Sequence, residues 1–200
     1  MQPQTLIIFG ASGSGKGTQA QLLIEYLKSK DPEKPTLYIE TGQMFREFAE
    51  AEAEKTLTGK LTKKIMDHGD LLPEFLPIWI WSEFLIRNVQ GREHLVMEGL
   101  SRKKDEAPVL DSAMKFYKRD KTAIISIEVS KKWSTEKLLA RGRTDDTRED
   151  IINRLGWYEA EVTPAIEYFK RDPFYTFISV NGEQTIEKVH ADIMEKLDWK

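Results

Sequence analysis

An α/β fold with a central five-stranded parallel sheet flanked by helices is the architecture this sequence predicts, and three observations predict it. Five short runs rich in β-branched and aromatic residues alternate with longer amphipathic segments. A glycine-rich turn joins the first run to the first amphipathic segment. The composition is that of one folded domain: 200 residues, 40% hydrophobic and 32% charged. A chain of this size buries roughly 70% of the surface that it exposes when unfolded.

The strand candidates are Thr5–Phe9, Thr36–Ile39, His94–Met97, Thr122–Val129 and Phe174–Val180, each bounded by turn or polar residues. Gly15–Lys28 reads as a helix because Ala20, Leu23, Tyr26 and Leu27 fall on one face, and Ile186, Val189, Ile193 and Leu197 repeat the pattern near the end. Strands separated by helices favour a parallel sheet covered on both faces. The stretch from about Thr41 to Leu72 carries two helical patterns and no strand, so a helical insertion is expected at about 41–72, with the core formed by 1–40 and 73–200. Phe75–Ile86, with Trp79 and Trp81, reads as a buried helix. It contains Pro77, Ser82 and Glu83 and is too short to span a bilayer. Asp31-Pro32-Glu33-Lys34-Pro35 reads as a stiff surface loop without function.

Composition excludes several classes of function. The net charge of −3 argues against a nucleic-acid partner. No cysteine is present, which removes disulfides, thiolate nucleophiles and cysteine-bound zinc. Met1–Gln4 has no positive charge and the apolar run after it stops at Gly10, so no export signal is expected, and a cytoplasmic protein is. His68, His94 and His190 lack metal-like spacing and read as structural or solvated. Trp133, Trp157 and Trp199 are expected to pack against the core.

The strongest local signal is Gly10-Ala11-Ser12-Gly13-Ser14-Gly15-Lys16-Gly17-Thr18. It follows a predicted strand and opens a predicted helix, the context that a phosphate-binding loop requires. Glycines let successive N–H groups turn inward toward phosphate oxygens, the helix amino terminus adds partial positive charge, and Lys16 reaches the terminal phosphates. The position after Lys16 is Gly17, and the hydroxyl arrives one residue later at Thr18.

Gly-Lys-Gly-Thr-Gln at 15–19 resembles the nucleoside monophosphate kinases, adenylate kinase most of all. Further motifs follow in that family's order: Thr41-Gly42-Gln43-Met44-Phe45-Arg46, Gly69-Asp70-Leu71-Leu72-Pro73, Glu98-Gly99-Leu100-Ser101-Arg102, Arg141-Gly142-Arg143-Thr144-Asp145-Asp146 and Ile152-Asn153-Arg154-Leu155. The resemblance implies the P-loop kinase three-layer fold in a single domain. It also implies transfer of the γ-phosphoryl of MgATP to a nucleoside monophosphate, with AMP as the expected acceptor. Magnesium would come with ATP, and no zinc, nucleic acid or membrane is expected as a partner. A monomer is expected. By resemblance, Gly13, Ser14, Gly15, Lys16, Gly17, Thr18, Lys137, Arg141 and Gln184 would bind ATP. Thr41, Gly42, Arg46, Leu71, Leu72, Gly99, Arg102, Glu106, Arg143 and Arg154 would bind the monophosphate. The chemistry would be carried by Lys16, Arg46, Arg102, Arg141, Arg143 and Arg154, with Glu98 reaching magnesium through water. Guanidinium suits this work because its flat fork binds two phosphate oxygens and stays charged at neutral pH. Asp145 and Asp146 either orient these arginines or cap the helix that begins near Thr147.

Five departures from the family pattern matter. Glu98 and Ser101 replace an aspartate and a proline, so the loop before Arg102 is expected to take a different course. Glu106 stands where adenylate kinases usually present a glutamine to the adenine. An ionised carboxylate only accepts hydrogen bonds, so this position by itself leans toward GMP, and UMP or CMP stay open as acceptors. Gln43 stands where an aspartate is more common. Only Gly142 separates Arg141 from Arg143, which leaves a vestigial lid at about 141–146, as in the shortest members. Lys137 replaces an arginine that stacks on the donor base, and Gln184 would meet that base through its backbone. A nucleotide-binding protein without catalysis is the reading from another class. With so short a lid, ATP hydrolysis should be measurable in a coupled assay with the acceptor omitted; its absence would show that water is well excluded.

Overall fold

A computed structural model of the protein describes residues 1–142 and 146–199. Arg143 and the middle of the expected short lid lie outside the described residues. Along the chain run β1 (Thr5–Gly10), α1 (Lys16–Lys30), β2 (Thr36–Glu40), α2 (Thr41–Glu52), α3 (Leu57–Asp67) and α4 (Phe75–Asn88). After these come β3 (His94–Glu98), α5 (Ala107–Phe116), β4 (Thr122–Glu128), α6 (Lys131–Arg141) and α7 (Arg148–Trp157). The chain closes with α8 (Thr163–Arg171), β5 (Thr176–Asn181) and α9 (Ile186–Lys196). A 3-10 turn, Lys104–Glu106, leads into α5, and a π turn, Tyr158–Val162, joins α7 to α8.

The five strands are parallel, in the order β2-β3-β1-β4-β5. β1 is central, with Ile7 opposite both Met97 and Ile124. The chain leaves β1 toward one edge and later crosses to the other. The loop after Gly10 therefore opens where the strand order reverses, which is where open parallel sheets bind ligands. Glu40 and Glu98 end their strands side by side at that same edge.

Alternation along β1 builds both cores. Ile7 and Phe9 face Ile39, Met97, Trp81, Leu110 and Phe169, under α4, α5 and α8. Leu6 and Ile8 face Leu23, Leu27, Ile125 and Ile193, under α1 and α9. Each such side chain contributes about 1.5–3 kcal/mol when fully buried. Residues 41–72 carry two helices, α2 and α3, and no strand. β5 begins at Thr176, two residues later than expected, because Asp172 captures the Phe174 N–H on its side chain (2.9 Å) and the Tyr175 N–H on its carbonyl (3.1 Å).

Two expectations are corrected here. α4 is not buried all round. Trp81 and Leu85 enter the core, but Phe75, Trp79 and Ile86 are 64%, 43% and 73% exposed, since a helix laid on the sheet hides only one face. The Asp31 loop is not inert either. Asp31 is buried and takes the Met1 amino group (3.0 Å) and Lys34 (2.9 Å), which pins the amino terminus beside the sheet. Trp199 stacks on Tyr26 at 5.4 Å and covers the α1 side of the core. Among the described residues no helix is long and apolar enough to cross a membrane.

At the amino-terminal edge of the sheet, Arg119 and Glu93 form a buried ion pair, and Arg119 Nη1 also donates to the Glu93 carbonyl at 2.9 Å. Glu93 further accepts from the Gln90 and Gly91 N–H groups at 3.1 and 3.0 Å. Glu93→Ala strands a buried guanidinium and should cost about 3–5 kcal/mol in urea unfolding. It lies far from the carboxyl edge, so function per folded molecule should persist.

Candidate active site

The loop Gly10–Lys16 leaves β1 and enters α1 through a tight turn, with the Ser14 N–H bonded to the Ala11 carbonyl at 3.1 Å. Gly13 has φ +83, and a Cβ there would meet the Ser134 carbonyl at 2.8 Å, so this position tolerates only glycine. No acidic residue sits in the first turn of α1, which leaves its N–H dipoles unneutralised. Ser14 Oγ is buried with no hydrogen-bond partner among the described residues. Lys16 Nζ rests on the Ala11 carbonyl at 3.1 Å. Burial pulls its ammonium down to about 8, against the opposing pull of Glu98. Phosphate oxygens would restore the charge that burial opposes. A Cβ at Gly17 would lie 3.3 Å from Glu98 Oε1, so glycine there keeps the gap between loop and carboxylate open. Glu98 Oε1 accepts from Tyr38 Oη at 2.6 Å, which together with burial holds that phenol un-ionised.

The arginines converge with acidic or carbonyl anchors already in place. Arg46, on α2, donates to Glu40 (2.9 Å) and twice to Gln43 (3.0 and 2.8 Å), so Gln43 fills an aspartate's orienting place without adding charge. Arg102 Nε donates to the Gly99 carbonyl at 3.0 Å, and its guanidinium stands over the Trp157 ring at 5.9 Å. Asp146 accepts both Nε and Nη2 of Arg141, at 2.9 and 2.8 Å, and Nη1 of Arg154 at 3.2 Å. That resolves the alternatives for Asp146 in favour of orientation. The α7 cap is Thr147, whose hydroxyl takes the Asp150 N–H. Asp145 lies outside the described residues. The Ser101 loop does take its own course. Ser101 adopts φ +52, which a proline ring, locked near −65°, cannot reach.

These groups line one cleft of about 510 Å³ between the phosphate loop, the insertion and α7. Gly13, Gly15, Lys16, Gly17, Thr18, Thr41, Gly42, Arg46, Leu71 and Leu72 reach it, as do Glu98, Gly99, Arg102, Glu106, Lys137, Arg141 and Arg154. Ser14 is buried within the loop and does not line the cleft. Gln184 does not line it, and its side chain is tied to the Asn181 carbonyl (2.8 Å) and Asp192 (2.9 Å). Lys137 lies over the ring of Trp133, one turn earlier on α6, at 4.6 Å. Among the described residues no group of three or more His, Cys, Asp or Glu is arranged to hold a metal ion.

Residues that sequence reasoning passed over also meet here. Trp157 packs against the core as expected, and it also lines the cleft and donates Nε1 to the Gly69 carbonyl at 2.9 Å. Asn153 reaches the His68 carbonyl at 3.1 Å, a second strap from α7 to the end of the insertion. The available signal was spacing: Trp157 follows Arg154 by three residues on one helix and shares its face. Glu40 gave no signal beyond ending a strand.

Glu106 is 1% exposed at the inner end of the cleft. Its Oε2 accepts from the Arg102 N–H at 3.3 Å, and burial pushes its carboxyl up to about 7 despite the nearby Arg102 and Lys103. The unfolded chain releases this proton near pH 4.5, while the folded protein keeps it to about 7. Between those values the folded state binds more protons, so stability falls as pH rises, by on the order of 3 kcal/mol. Glu106→Gln escapes that loss. Its melting temperature should exceed the wild type's at pH 8, with the gap shrinking toward pH 5 in calorimetry.

A family model described as adenylate kinase matches residues 8–173. A protein named adenylate kinase from Azobacteroides pseudotrichonymphae genomovar. CFP2 is 33% identical over 196 residues, covering 96% of this chain and 95% of that one. Another, from Flavobacterium psychrophilum, is 31% identical over 198 residues, with 96% and 97% covered. One from Oenococcus oeni is 30% identical over 184 residues, with 92% and 93% covered. The match runs from β1 and the phosphate loop through the insertion and the α7 arginine, the same elements that build the cleft. The chain belongs to the adenylate kinase family.

Proposed function

We propose that the protein catalyses reversible transfer of the γ-phosphoryl of MgATP to AMP, yielding two ADP. The observation that carries this reading is the convergence of Lys16, Arg46, Arg102, Arg141 and Arg154 on one cleft between a phosphate loop and a helical insertion. An AMP phosphate oxygen bonds to the γ-phosphorus while the bond from that phosphorus to the β–γ bridging oxygen breaks, its electron pair leaving with ADP. Such a reaction asks little covalent work of the protein; positioning and charge neutralisation carry it.

Arg46 and Arg102 hold the acceptor phosphate beside Thr41, Gly42 and Gly99. Lys16 and the N–H groups of Gly13–Thr18 hold the donor phosphates. Arg141 and Arg154, braced by the one Asp146 carboxylate, flank the transferring group, and Arg143 joins them by family resemblance. Magnesium enters as part of the ATP substrate and neutralises β- and γ-oxygen charge, and Glu98, across the gap that Gly17 leaves, is suited to order its water shell. Lys137 faces the donor base, with Gln184 contributing backbone only. Closure of the insertion against α7, where Asn153 and Trp157 already touch residues 68 and 69, expels water. With a short lid and no long amphipathic arm, the protein acts as a cytoplasmic monomer.

Lys16→Met should cut turnover by about 10²- to 10³-fold or more, with circular dichroism unchanged. Wild-type activity in that variant would overturn the site assignment. A wild type that binds ATP yet phosphorylates none of AMP, GMP, UMP and CMP would favour the non-catalytic reading.

A further inference from the structure

The acceptor end of the cleft holds a residue whose chemistry conflicts with AMP if it is charged. Glu106 lines the same cleft as Leu72, Pro77 and Gly99, whose apolar and backbone surfaces suit the faces of a flat base. An ionised carboxylate there accepts from the adenine amino group with one oxygen. Its second oxygen then faces the lone pair of ring N1, an unpaired and repulsive contact in a buried site.

The surroundings remove that conflict. Among the described residues no cation forms an ion pair with Glu106. The Arg102 guanidinium is turned to the Gly99 carbonyl, and Lys103 Nζ is paired with Glu74 at 2.8 Å. The helices packed on this turn are α5 and α8. Asp111 and Lys115 of α5 pair with each other and with Tyr175 and Asp172 respectively, while Glu167 and Lys170 of α8 pair with each other. Arg171 of α8, and Lys104 and Asp105 beside the turn, are exposed to solvent. On the insertion side, Arg46 is occupied by Glu40. Among the described residues, the hydrogen bonds to the carboxyl come from the backbone of the turn, that from Arg102 being long at 3.3 Å. A carboxyl so buried and so weakly compensated keeps its proton into the neutral range.

We propose that Glu106 reads the acceptor base as a neutral carboxylic acid, its carbonyl oxygen accepting from the adenine amino group and its hydroxyl donating to ring N1. The group then has the same donor and acceptor pair as an amide, and acceptor choice becomes linked to the protonation of one side chain. The inference rests on the AMP reading above. Loss of the proton turns the group into a double acceptor, which suits the adjacent N1–H and amino donors of guanine.

The test is kcat/KM for AMP, GMP and 1-deaza-AMP between pH 6 and 8.5, in wild type and Glu106→Gln. Dividing the wild-type profile by that of the variant cancels the titrations of the AMP phosphate and of Lys16, which both proteins share. With a carboxyl near 7 in the free enzyme, the AMP ratio should fall roughly 30-fold across this range, while GMP gains on AMP in the wild type. With 1-deaza-AMP, which has no N1 lone pair, the ratio should stay nearly flat. A flat AMP ratio overturns the inference, and so does GMP outperforming AMP at pH 6. An equal fall with 1-deaza-AMP also overturns it, because the proton then serves the pocket's structure rather than the base. If neither protein phosphorylates any acceptor, the kinase reading fails first and takes this inference with it.

Discussion

Like charges gathered in one cleft repel one another, and Lys16, Arg46, Arg102, Arg141 and Arg154 are gathered in one. The rest of the site is arranged around that constraint. Asp146 is fully buried and shared between Arg141 and Arg154, Glu40 steadies Arg46, and a backbone carbonyl with an indole face steadies Arg102. Asp146 is one carboxylate for two arginines and Arg102 is held by groups without charge, so positive charge remains for phosphate. Arg102 shows the balance best, because a carbonyl and a ring face orient a guanidinium without cancelling its charge. Burial that lowers the Lys16 ammonium is the same effect from the other side: charge there is costly until a polyphosphate arrives.

The parallel sheet makes this gathering possible by putting every strand's carboxyl end on one edge. Glu40 and Glu98 are paired in register there, and the phosphate loop opens beside them. The opposite edge has a different task. Arg119 with Glu93, and Asp31 with the amino terminus, tie loops down at the end away from the cleft. Charges at one edge are partly unsatisfied and at the other nearly saturated, which divides affinity from stability along the strand direction.

Much of this was legible in the residues because it is local. A glycine-rich turn between an apolar run and an amphipathic one names its own geometry, since Gly13 at φ +83 is dictated by neighbours a few positions away and by the close approach of α6. The run Thr5–Phe9 was legible as a strand, and the structure adds which of its residues face which core, Leu6 and Ile8 to one and Ile7 and Phe9 to the other. Trp79 was misjudged, whereas Trp157 packs against the core as expected and also reaches beyond it. A tryptophan's hydrophobicity says that it prefers burial, but which helix face meets the sheet decides whether it obtains it. Trp157 spans to Gly69, 88 positions earlier, a contact no local pattern encodes.

Glu106 shows where the division falls. The sequence by itself determined the five-strand order of elements, the phosphate loop, the helical insertion and the set of arginines, because these follow from short-range periodicity and motif spacing. It also determined that position 106 is a glutamate where the family pattern has a glutamine. Only the tertiary structure decided what that glutamate is. A proton's affinity depends on how much water the fold removes and which charges it brings near. Here the fold removes nearly all the water, and burial outweighs the pull of Arg102 and Lys103, whose own hydrogen bonds go to Gly99 and Glu74.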